Sequence, residues 1–252
     1  MLLERKTAVI YGGGGSIGGA VARAFAREGA RVQLAGRTLE SLESVAEEIR
    51  SAGGVAETAQ VDALDERAID GHADAVAAEA GGIDISLNVV THPSAHGKPL
   101  AEMALEDFTR EVLTAVSTTF LTARAAARHM IRQGSGVILM FGGSGDPMRD
   151  YYIGGTQVAL GATDLMRRQL AAELGPHGIR VVTLRSGGVP ESLPEGIEGR
   201  DELIERTIVS KTMLGRAATL EDVGNVAAFV ASDRARAMTG ATANLSCGAL
   251  VD

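Results

Sequence analysis

Strand and helix patterns alternate along this 252-residue sequence, which predicts one α/β domain with a doubly wound parallel sheet and helices on both faces. The first predicted strand runs into a glycine-rich turn, residues 12–15, and an apolar helical pattern starts at Ile17. The fourth predicted strand, residues 83–90, is mostly apolar, as expected where helices cover both faces of a sheet. A sheet of this kind binds its ligands beyond the carboxyl ends of the strands.

Local signals mark the boundaries of the predicted elements. Gly29 ends the first helix, Thr38 is the expected N-cap of the second, and Gly53 and Gly54 end that helix. The seven strands are predicted at residues 9–11, 31–35, 55–61, 83–90, 137–141, 179–184 and 241–245. The helices after the first are predicted at residues 38–52, 65–80, 105–133, 156–174, 201–210 and 219–232. No repeat or linker interrupts this pattern, so residues 1–252 are predicted to form one domain, with a mobile substrate loop at about 186–213.

Composition and charge exclude several classes of function. The formal net charge of −8 and the isoelectric point near 5.2 leave no basic stripe for nucleic acid. No segment approaches the ~20 apolar residues that a membrane span requires. Cys247 is the only cysteine, so no internal disulfide is expected, and the first residues do not resemble a signal peptide. We therefore expect a cytoplasmic protein with a small-molecule substrate.

The glycine-rich turn is the main candidate binding site. A glycine turn between a strand and a helix presents bare backbone N–H groups at a helix N-terminus, where they bind phosphate. The residues that would form such a site are Gly12, Gly14, Gly15, Ser16, Ile17 and Gly18. The alternative is a tight strand-to-helix turn that binds no ligand, and the motif alone leaves this alternative open.

The turn and four later segments resemble those of short-chain dehydrogenases/reductases. Gly12, Ser16 and Gly18 reproduce the Gly-x-x-x-Gly-x-Gly spacing of that family, with serine in place of the middle glycine. The other similar segments are residues 83–88, 170–181, 214–216 and 231–233. The resemblance covers almost the whole chain and implies a Rossmann-type fold, an oxidoreductase activity and a nicotinamide cofactor.

The resemblance also bears on the choice of cofactor. Family members that use NAD usually carry aspartate at the end of the second strand, and this sequence has Gly36 there, followed by Arg37. Arginine forms charge-assisted hydrogen bonds with a 2′-phosphate, so NADP(H) is favoured over NAD(H). The alternative is a solvated surface arginine. The other cofactor contacts that the resemblance implies are Asp62, Ala63, Asn88, Val189 and Ser192.

The catalytic residues of the family do not recur in this sequence. The family uses Asn, Ser, Tyr and Lys, and the matching positions are Ala115, Gly142, Thr156 and Leu160. The resemblance is therefore to an atypical member with a non-standard or weakened proton relay. Tyr152 and Ser144 are the candidate replacement donors, although no lysine stands beside the tyrosine to activate it. A packing or loop role is the alternative for Tyr152.

Histidine and arginine side chains offer weaker candidates. His92 and His96 lie in the loop after the fourth strand, where they would be solvated or contact a substrate. Pro93 between them disfavours a helical metal-binding pair, and no metal site is predicted. The other candidates are expected on helix surfaces or in turns: His72, His129, His177, Arg167 and Arg168.

Two functions follow from these observations. The first is an oxidoreductase that moves a hydride between NADP(H) and a carbonyl or alcohol through a non-standard proton relay. The second is a catalytically inactive NADP(H)-binding protein, either a sensor or a structural subunit. A different chemistry on the same scaffold is a third.

The resemblance further implies a homotetramer or homodimer built through the helices at 105–133 and 156–174, and the second helix has more apolar positions than one sheet-facing stripe requires.

Overall fold

The computed structural model describes residues 1–91, 96–143, 147, 152–194, 196 and 199–251. The strands in these residues are β1 Thr7–Tyr11, β2 Arg31–Gly36, β3 Val55–Gln60, β4 Ile85–Asn88, β5 Gly136–Gly142, β6 Ile179–Arg185 and β7 Ala241–Asn244. They form one parallel sheet in the order β3-β2-β1-β4-β5-β6-β7. The strand order reverses between β1 and β4, so the point where doubly wound sheets bind ligands lies beside the glycine-rich turn. The predicted fold class is confirmed.

Helices cover both faces of this sheet. They are α1 Ser16–Arg27, α2 Leu39–Ser51, α3 Glu66–Ala80, α4 Leu105–Gln133, α5 Thr156–Leu174, α6 Arg200–Thr207 and α7 Leu220–Ala231. Side chains of α1, α2 and α7 pack with Ile10 in one apolar cluster, and those of α3, α4 and α5 pack with Val9 in a second cluster. Since side chains alternate along a strand, neighbouring residues of β1 enter opposite cores.

Side-chain caps explain where several helices begin. The Asp65 carboxylate caps α3 by accepting a hydrogen bond from the backbone N–H of Arg67 at 2.9 Å. Thr219 and Asp222 form a capping box at the start of α7. Thr38 occupies the predicted N-cap position of α2, but within the described chain its side chain makes no capping hydrogen bond. The sequence thus locates the helix starts better than it identifies the capping contacts.

Two predicted elements are shorter than expected. The fourth strand was predicted at residues 83–90, but β4 ends at Asn88, whose side chain accepts a hydrogen bond from the Val90 backbone N–H at 3.0 Å. The Val90 N–H is thus bonded to the local side chain rather than to a neighbouring strand. The helix predicted at residues 201–210 consists of α6 and a separate 3₁₀ turn, Val209–Lys211. In the described residues no helix is long and apolar enough to cross a bilayer.

Two side chains predicted on helix surfaces are buried, and those predictions were wrong. Arg167 is 3% exposed, and its guanidinium donates to the carbonyl of Gly240 and, at 2.6 Å, to Asp164. His129 is 8% exposed, and its Nε2 lies 2.9 Å from Oδ1 of Asp74. A paired polar side chain is tolerated in the interior, and helical periodicity does not reveal its partner.

The other residues of that group lie nearer the surface. Arg168 and His177 are exposed, as predicted. His72 is partly buried against the edge of the Tyr11 ring, with 5.7 Å between the ring centroids. This burial lowers the pKa of His72, because it disfavours the charged imidazolium.

Candidate active site

Two adjoining cavities open at the carboxyl ends of the strands. The glycine cleft, of about 450 Å³, is formed by Tyr11, Gly12, Gly14, Gly15, Gly36, Arg37, Thr38, Ser41, Asp62 and Ala63 with their neighbours. The threonine cavity, of about 350 Å³, lies between α4 and α5 and is named for Thr118, Thr119, Thr156, Thr163 and Thr183. Val90, Thr91 and Thr118 line both cavities. One elongated ligand can therefore extend from one cavity into the other.

Close packing explains why the turn is built from glycine. Gly12 has a φ of +87°, and a Cβ added there would lie 2.6 Å from the carbonyl oxygen of Val89. A Cβ at Gly14 would collide with Oγ of Ser41, and one at Gly18 would collide with the carbonyl oxygen of Gly12. Any side chain at these three positions would distort the turn or fill the cleft.

The start of α1 fits an anion. Gly15 is its N-cap, and in the described chain no side chain caps this helix and no acidic residue occupies its first turn. The first backbone N–H groups and the positive end of the helix dipole are therefore available to a ligand. Ser16 is exposed beside them, and Ile17 lines the threonine cavity. This arrangement fits the pyrophosphate of a dinucleotide.

A positive charge lies at the far end of the glycine cleft. Arg37 is exposed there and lines the cleft together with Thr38 and Ser41. The adjacent Gly36 has room for a side chain, since an added Cβ would lie 3.5 Å from Leu42, an ordinary contact distance. Packing would therefore permit a carboxylate side chain at this position.

Asp62 and Asn88 make local contacts at the ends of their strands. Asp62 lines the glycine cleft, and its Oδ1 accepts a hydrogen bond from the backbone N–H of Leu64 at 3.0 Å. Asn88 lines the threonine cavity, and its Nδ2 lies 3.2 Å from Oγ1 of both Thr118 and Thr119. The Asn88 amide thereby fixes the end of β4 to α4.

Val189 and Ser192, the last two predicted cofactor contacts, are held by local packing and hydrogen bonding. Val189 is buried, and Ser192 Oγ donates to the Val189 carbonyl at 2.7 Å. Among the described residues, neither lines the glycine cleft or the threonine cavity. Their roles stay predictions.

The four positions that the sequence aligns with catalytic residues meet in the threonine cavity. Ala115 on α4, Gly142 at the end of β5, and Thr156 and Leu160 on α5 all line it. A Cβ added at Gly142 would lie 2.9 Å from Cδ2 of Leu160, so the leucine packs against the strand end. Of these four residues, Thr156 alone carries a polar side chain.

A buried glutamate extends this group. Glu111, one helical turn before Ala115 on α4, is 0% exposed, and its Oε1 accepts a hydrogen bond from Oγ1 of Thr156. Nε2 of His96, an exposed residue that lines the cavity, lies 3.2 Å from the same threonine oxygen. Sequence reasoning missed Glu111. Its spacing of one turn from Ala115 on a predicted helix is the signal that would have found it.

One residue of the threonine cavity wall belongs to a charged cluster. Asp164 lines the wall and is bound by Arg167 at 2.6 Å and by Arg168 at 2.8 Å. Burial raises the pKa of Asp164, but hydrogen bonds and charges from Arg167 and Arg168 outweigh it and hold the pKa below its usual value. Asp164 is therefore a carboxylate at neutral pH and has no proton to donate.

Of the two predicted proton donors, Tyr152 lies within the described residues. Tyr152 precedes Gly155, the N-cap of α5, and is 52% exposed. It is not among the described residues that line either cavity, and its carbonyl accepts a hydrogen bond from the backbone N–H of Gly97 at 2.7 Å. Ser144 and His92 lie outside the described residues. The catalytic roles of Tyr152 and Ser144 stay predictions.

The whole chain is similar to known oxidoreductases. The family model described as enoyl-(acyl carrier protein) reductase matches residues 13–249. The chain belongs to the short-chain dehydrogenase/reductase family. L-Rhamnose 1-dehydrogenase (NAD(P)+) of Azotobacter vinelandii is 32% identical over 267 residues, with 100% of this chain and 99% of the relative covered. D-Threitol dehydrogenase of Mycolicibacterium smegmatis is 30% identical over 242 residues, with 95% and 90% covered.

Solved structures of short-chain dehydrogenases/reductases share this fold. The gluconate 5-dehydrogenase of Burkholderia cenocepacia, in complex with NADP and tartrate, superimposes with a TM-score of 0.88 at 24% identity. The match covers 98% of this chain and 96% of that chain, and it shows the fold alone. Structural neighbours of the chain bind nicotinamide cofactors, NAD+ in one case and NADP in another.

Proposed function

We propose that this protein is an oxidoreductase that uses NADP(H) to interconvert an alcohol and a carbonyl compound. The observation that carries the proposal is the joined pair of cavities, in which the pyrophosphate-fitting glycine turn leads into a chamber that contains hydroxyl groups. Family membership supports the reaction class. When bound, the nicotinamide supplies or accepts the hydride. The protein binds and orients both ligands and handles the proton.

Arg37 supports the preference for NADP(H) over NAD(H). It lies in the glycine cleft beside the hydroxyl groups of Thr38 and Ser41, and the three side chains together suit a phosphate. Gly36 contributes no carboxylate that would repel a 2′-phosphate or bind a ribose hydroxyl. Asp62 and Ala63, which line the same cleft, are proposed to contact the adenosine end of the cofactor.

The proton-transfer step is proposed to be non-standard. Ala115, Gly142, Thr156 and Leu160 occupy the cavity positions where the resemblance places Asn, Ser, Tyr and Lys. Acid–base catalysis contributes roughly 10²–10⁴-fold to a rate, so we expect a slow enzyme rather than an inert protein. Leu160 also lacks the ammonium group that would hold the nicotinamide ribose, which weakens binding at that end of the cofactor.

Nucleotide titration and a turnover assay on the same preparation test this function. NADPH and NADH are titrated separately, and NADP+ and NAD+ are then assayed with L-rhamnose and D-threitol, the compounds named in the two relatives. We expect tighter binding of NADPH and NADP+-dependent oxidation of at least one compound. A protein that binds neither NADPH nor NADH would contradict the proposal.

A catalytically inactive NADP(H)-binding protein is the second candidate. Ala115, Gly142 and Leu160 favour it, because three of the four aligned positions hold no group that moves a proton. Such a protein would act as a sensor or as a structural subunit. Tight NADPH binding without turnover of any compound tested would support this candidate over the first.

We further propose that copies of the chain associate through α4 and α5 into a homodimer or homotetramer. Leu113, Phe120, Val158 and Leu165 on these helices are between 44% and 65% exposed, more apolar surface than two solvated helices present. The substrate loop predicted at about 186–213 includes residues 195, 197 and 198, which lie outside the described residues, so the loop stays a prediction; α6 has no buried side chain among its described residues. Cytoplasmic location also stays a prediction.

A further inference from the structure

We propose that Thr156, Glu111 and His96 form the proton relay of the threonine cavity. The inference rests on the proposed oxidoreductase function and assigns that function a proton path. Thr156 is the residue that meets the substrate oxygen, Glu111 is the buried proton acceptor, and His96 connects the pair to solvent. The three side chains come from α5, α4 and the loop after β4, so no single segment of the sequence displays them.

Glu111 is the residue whose presence most needs a functional reason. Its carboxyl group is 0% exposed and lies between α4 and α5. Burying such a group is unfavourable, and an apolar side chain of similar volume is often at least as stable there. The Thr156 hydroxyl, which lines the cavity, donates to Oε1 of Glu111 and so joins the buried group to the substrate space.

Thr156 can pass a proton in both directions. A hydroxyl group donates one hydrogen bond and accepts two, and that of Thr156 contacts Glu111 on one side and Nε2 of His96, at 3.2 Å, on the other. Nε2 donates or accepts according to the tautomer of the ring. His96 is exposed, so its ring exchanges protons with water. A hydrogen-bonded path therefore leads from solvent to a fully buried carboxyl group through a cavity-lining hydroxyl.

In alcohol oxidation the substrate hydroxyl gives its proton to Oγ1 of Thr156, while Thr156 gives its own proton to Oε1 of Glu111. A bound oxidised nicotinamide would supply the hydride acceptor, so that the electron pair left on the substrate oxygen would form the second C–O bond as the C–H pair left as hydride. Glu111 then returns its proton through Thr156 to Nε2 of His96, and His96 releases it to water. Carbonyl reduction is the reverse sequence, and atoms and charges balance in both directions.

The rival explanation is that Glu111 only stabilises the start of α5. Its Oε2 lies beside Gly155, the N-cap of that helix, where an added Cβ would be 3.2 Å away. Thermal unfolding of Glu111→Gln, which keeps an oxygen that can accept the hydrogen bond from Thr156, separates the two explanations when it is measured beside turnover. A relay residue predicts that Tm stays close to the wild-type value while kcat falls ~10²-fold. A kcat that stays near wild type, or that falls only together with Tm, would overturn the relay in favour of a structural role.

Turnover of NADP+ with L-rhamnose or D-threitol provides the second measurement. We expect kcat to fall by ~10²-fold or more in Thr156→Val and Glu111→Gln, and to recover to within ~10-fold of wild type in Thr156→Ser. NADPH affinity should stay the same in all three. Thr122→Val is the matched control, since it removes a buried hydroxyl of α4 that bonds only to its own helix and lies outside the described lining of the cavity.

The outcomes separate the relay from the function on which it rests. Turnover that survives Thr156→Val but is lost in Tyr152→Phe would overturn the relay and leave the oxidoreductase function intact. A wild-type protein that binds NADPH but oxidises neither compound would overturn both. Loss of turnover in Thr156→Val, its recovery in Thr156→Ser and a Tm close to the wild-type value in Glu111→Gln are together the result expected.

Discussion

Glu111 and Arg167 are buried ionisable side chains on neighbouring helices, and they differ in what they contact. Arg167 pairs with Asp164 and donates to the carbonyl of Gly240, so its bonds are made to the fold itself. Glu111 bonds to Thr156, a residue that lines a cavity large enough for a ligand. We infer that the arginine holds α5 against the chain before β7 and that the glutamate serves chemistry.

Replacing Arg167 tests the structural part of this distinction. Arg167→Met should lower the free energy of unfolding by about 2–4 kcal/mol, because it leaves the Gly240 carbonyl and part of the Asp164 charge uncompensated. The matched variant Arg168→Met, at a side chain that is 65% exposed, should change it by less than ~1 kcal/mol. Urea unfolding at neutral pH measures both. Equal changes in the free energy of unfolding of the two variants would show that the buried contacts of Arg167 add no stability beyond those of the exposed Arg168.

Acid unfolding should report the same ion cluster. The lowered pKa of Asp164 means that its contribution to stability is complete above the unfolded-state value of ~3.9 and disappears as pH falls through the lower folded-state value. Arg167→Met removes a cause of the lowering, so the contribution of Asp164 should be smaller and should be lost completely at a higher pH. Unfolding titrations of both proteins between neutral and acid pH measure the difference. If the free energy of unfolding changed with pH in the same way in both proteins, Arg167 would not be a cause of the lowered pKa of Asp164.

The proposed preference for NADP(H) also depends on single residues. Arg37→Ala should weaken NADPH binding by about tenfold or more and leave NADH binding nearly unchanged, since a charge-assisted hydrogen bond contributes ~1.5–3 kcal/mol. Gly36→Asp, which packing permits, should further shift the preference towards NADH. Fluorescence titration of the reduced nucleotides measures both affinities. No loss in Arg37→Ala would show that this arginine is a solvated surface residue.

At the scale of the element, the helix starts offer a matched pair of caps. The Asp65 side chain caps α3, whereas the Thr38 side chain makes no capping hydrogen bond at the described start of α2. Asp65→Ala should therefore cost about 1 kcal/mol of stability, and Thr38→Ala much less. The midpoints of the urea unfolding curves measure both losses, provided that the slopes of the curves are the same in the variants and the wild type. A larger loss in Thr38→Ala would mean that its hydroxyl caps α2 in solution.

Most elements were predictable because their signals are local. Glycine turns, N-cap residues and apolar periodicity locate the helices, and the predicted bounds of α4 and α5 agree with Leu105–Gln133 and Thr156–Leu174. Contacts between distant segments were not predictable. The Thr156–Glu111 bond spans 45 residues, and the Arg167–Gly240 bond spans 73. A single sequence carries no local signal for such pairs, which is why Glu111 was missed and Arg167 was placed on the surface.

At the scale of the whole molecule, the exposed apolar side chains of α4 and α5 predict self-association. Leu113→Glu combined with Leu165→Glu should convert the oligomer into smaller species, because each places a charge in the proposed interface. Val55→Glu, at an exposed apolar residue of the edge strand β3, is the control and should leave the mass unchanged. Light scattering at micromolar concentration measures the mass. A monomeric wild-type protein would remove the proposal.

The proposed function requires a hydride to move between a substrate carbon and NADP(H) in the joined cavities. Incubating the wild-type protein with NADP+ and deuterated L-rhamnose or D-threitol, followed by mass spectrometry of the nucleotide, measures that transfer directly. We predict NADPH that carries deuterium, formed faster than the corresponding NADH and far more slowly in Thr156→Val. If NADP+ binds to the protein but is neither reduced nor labelled after incubation with either compound, the proposed function is contradicted. That result would favour a protein that only binds the nucleotide.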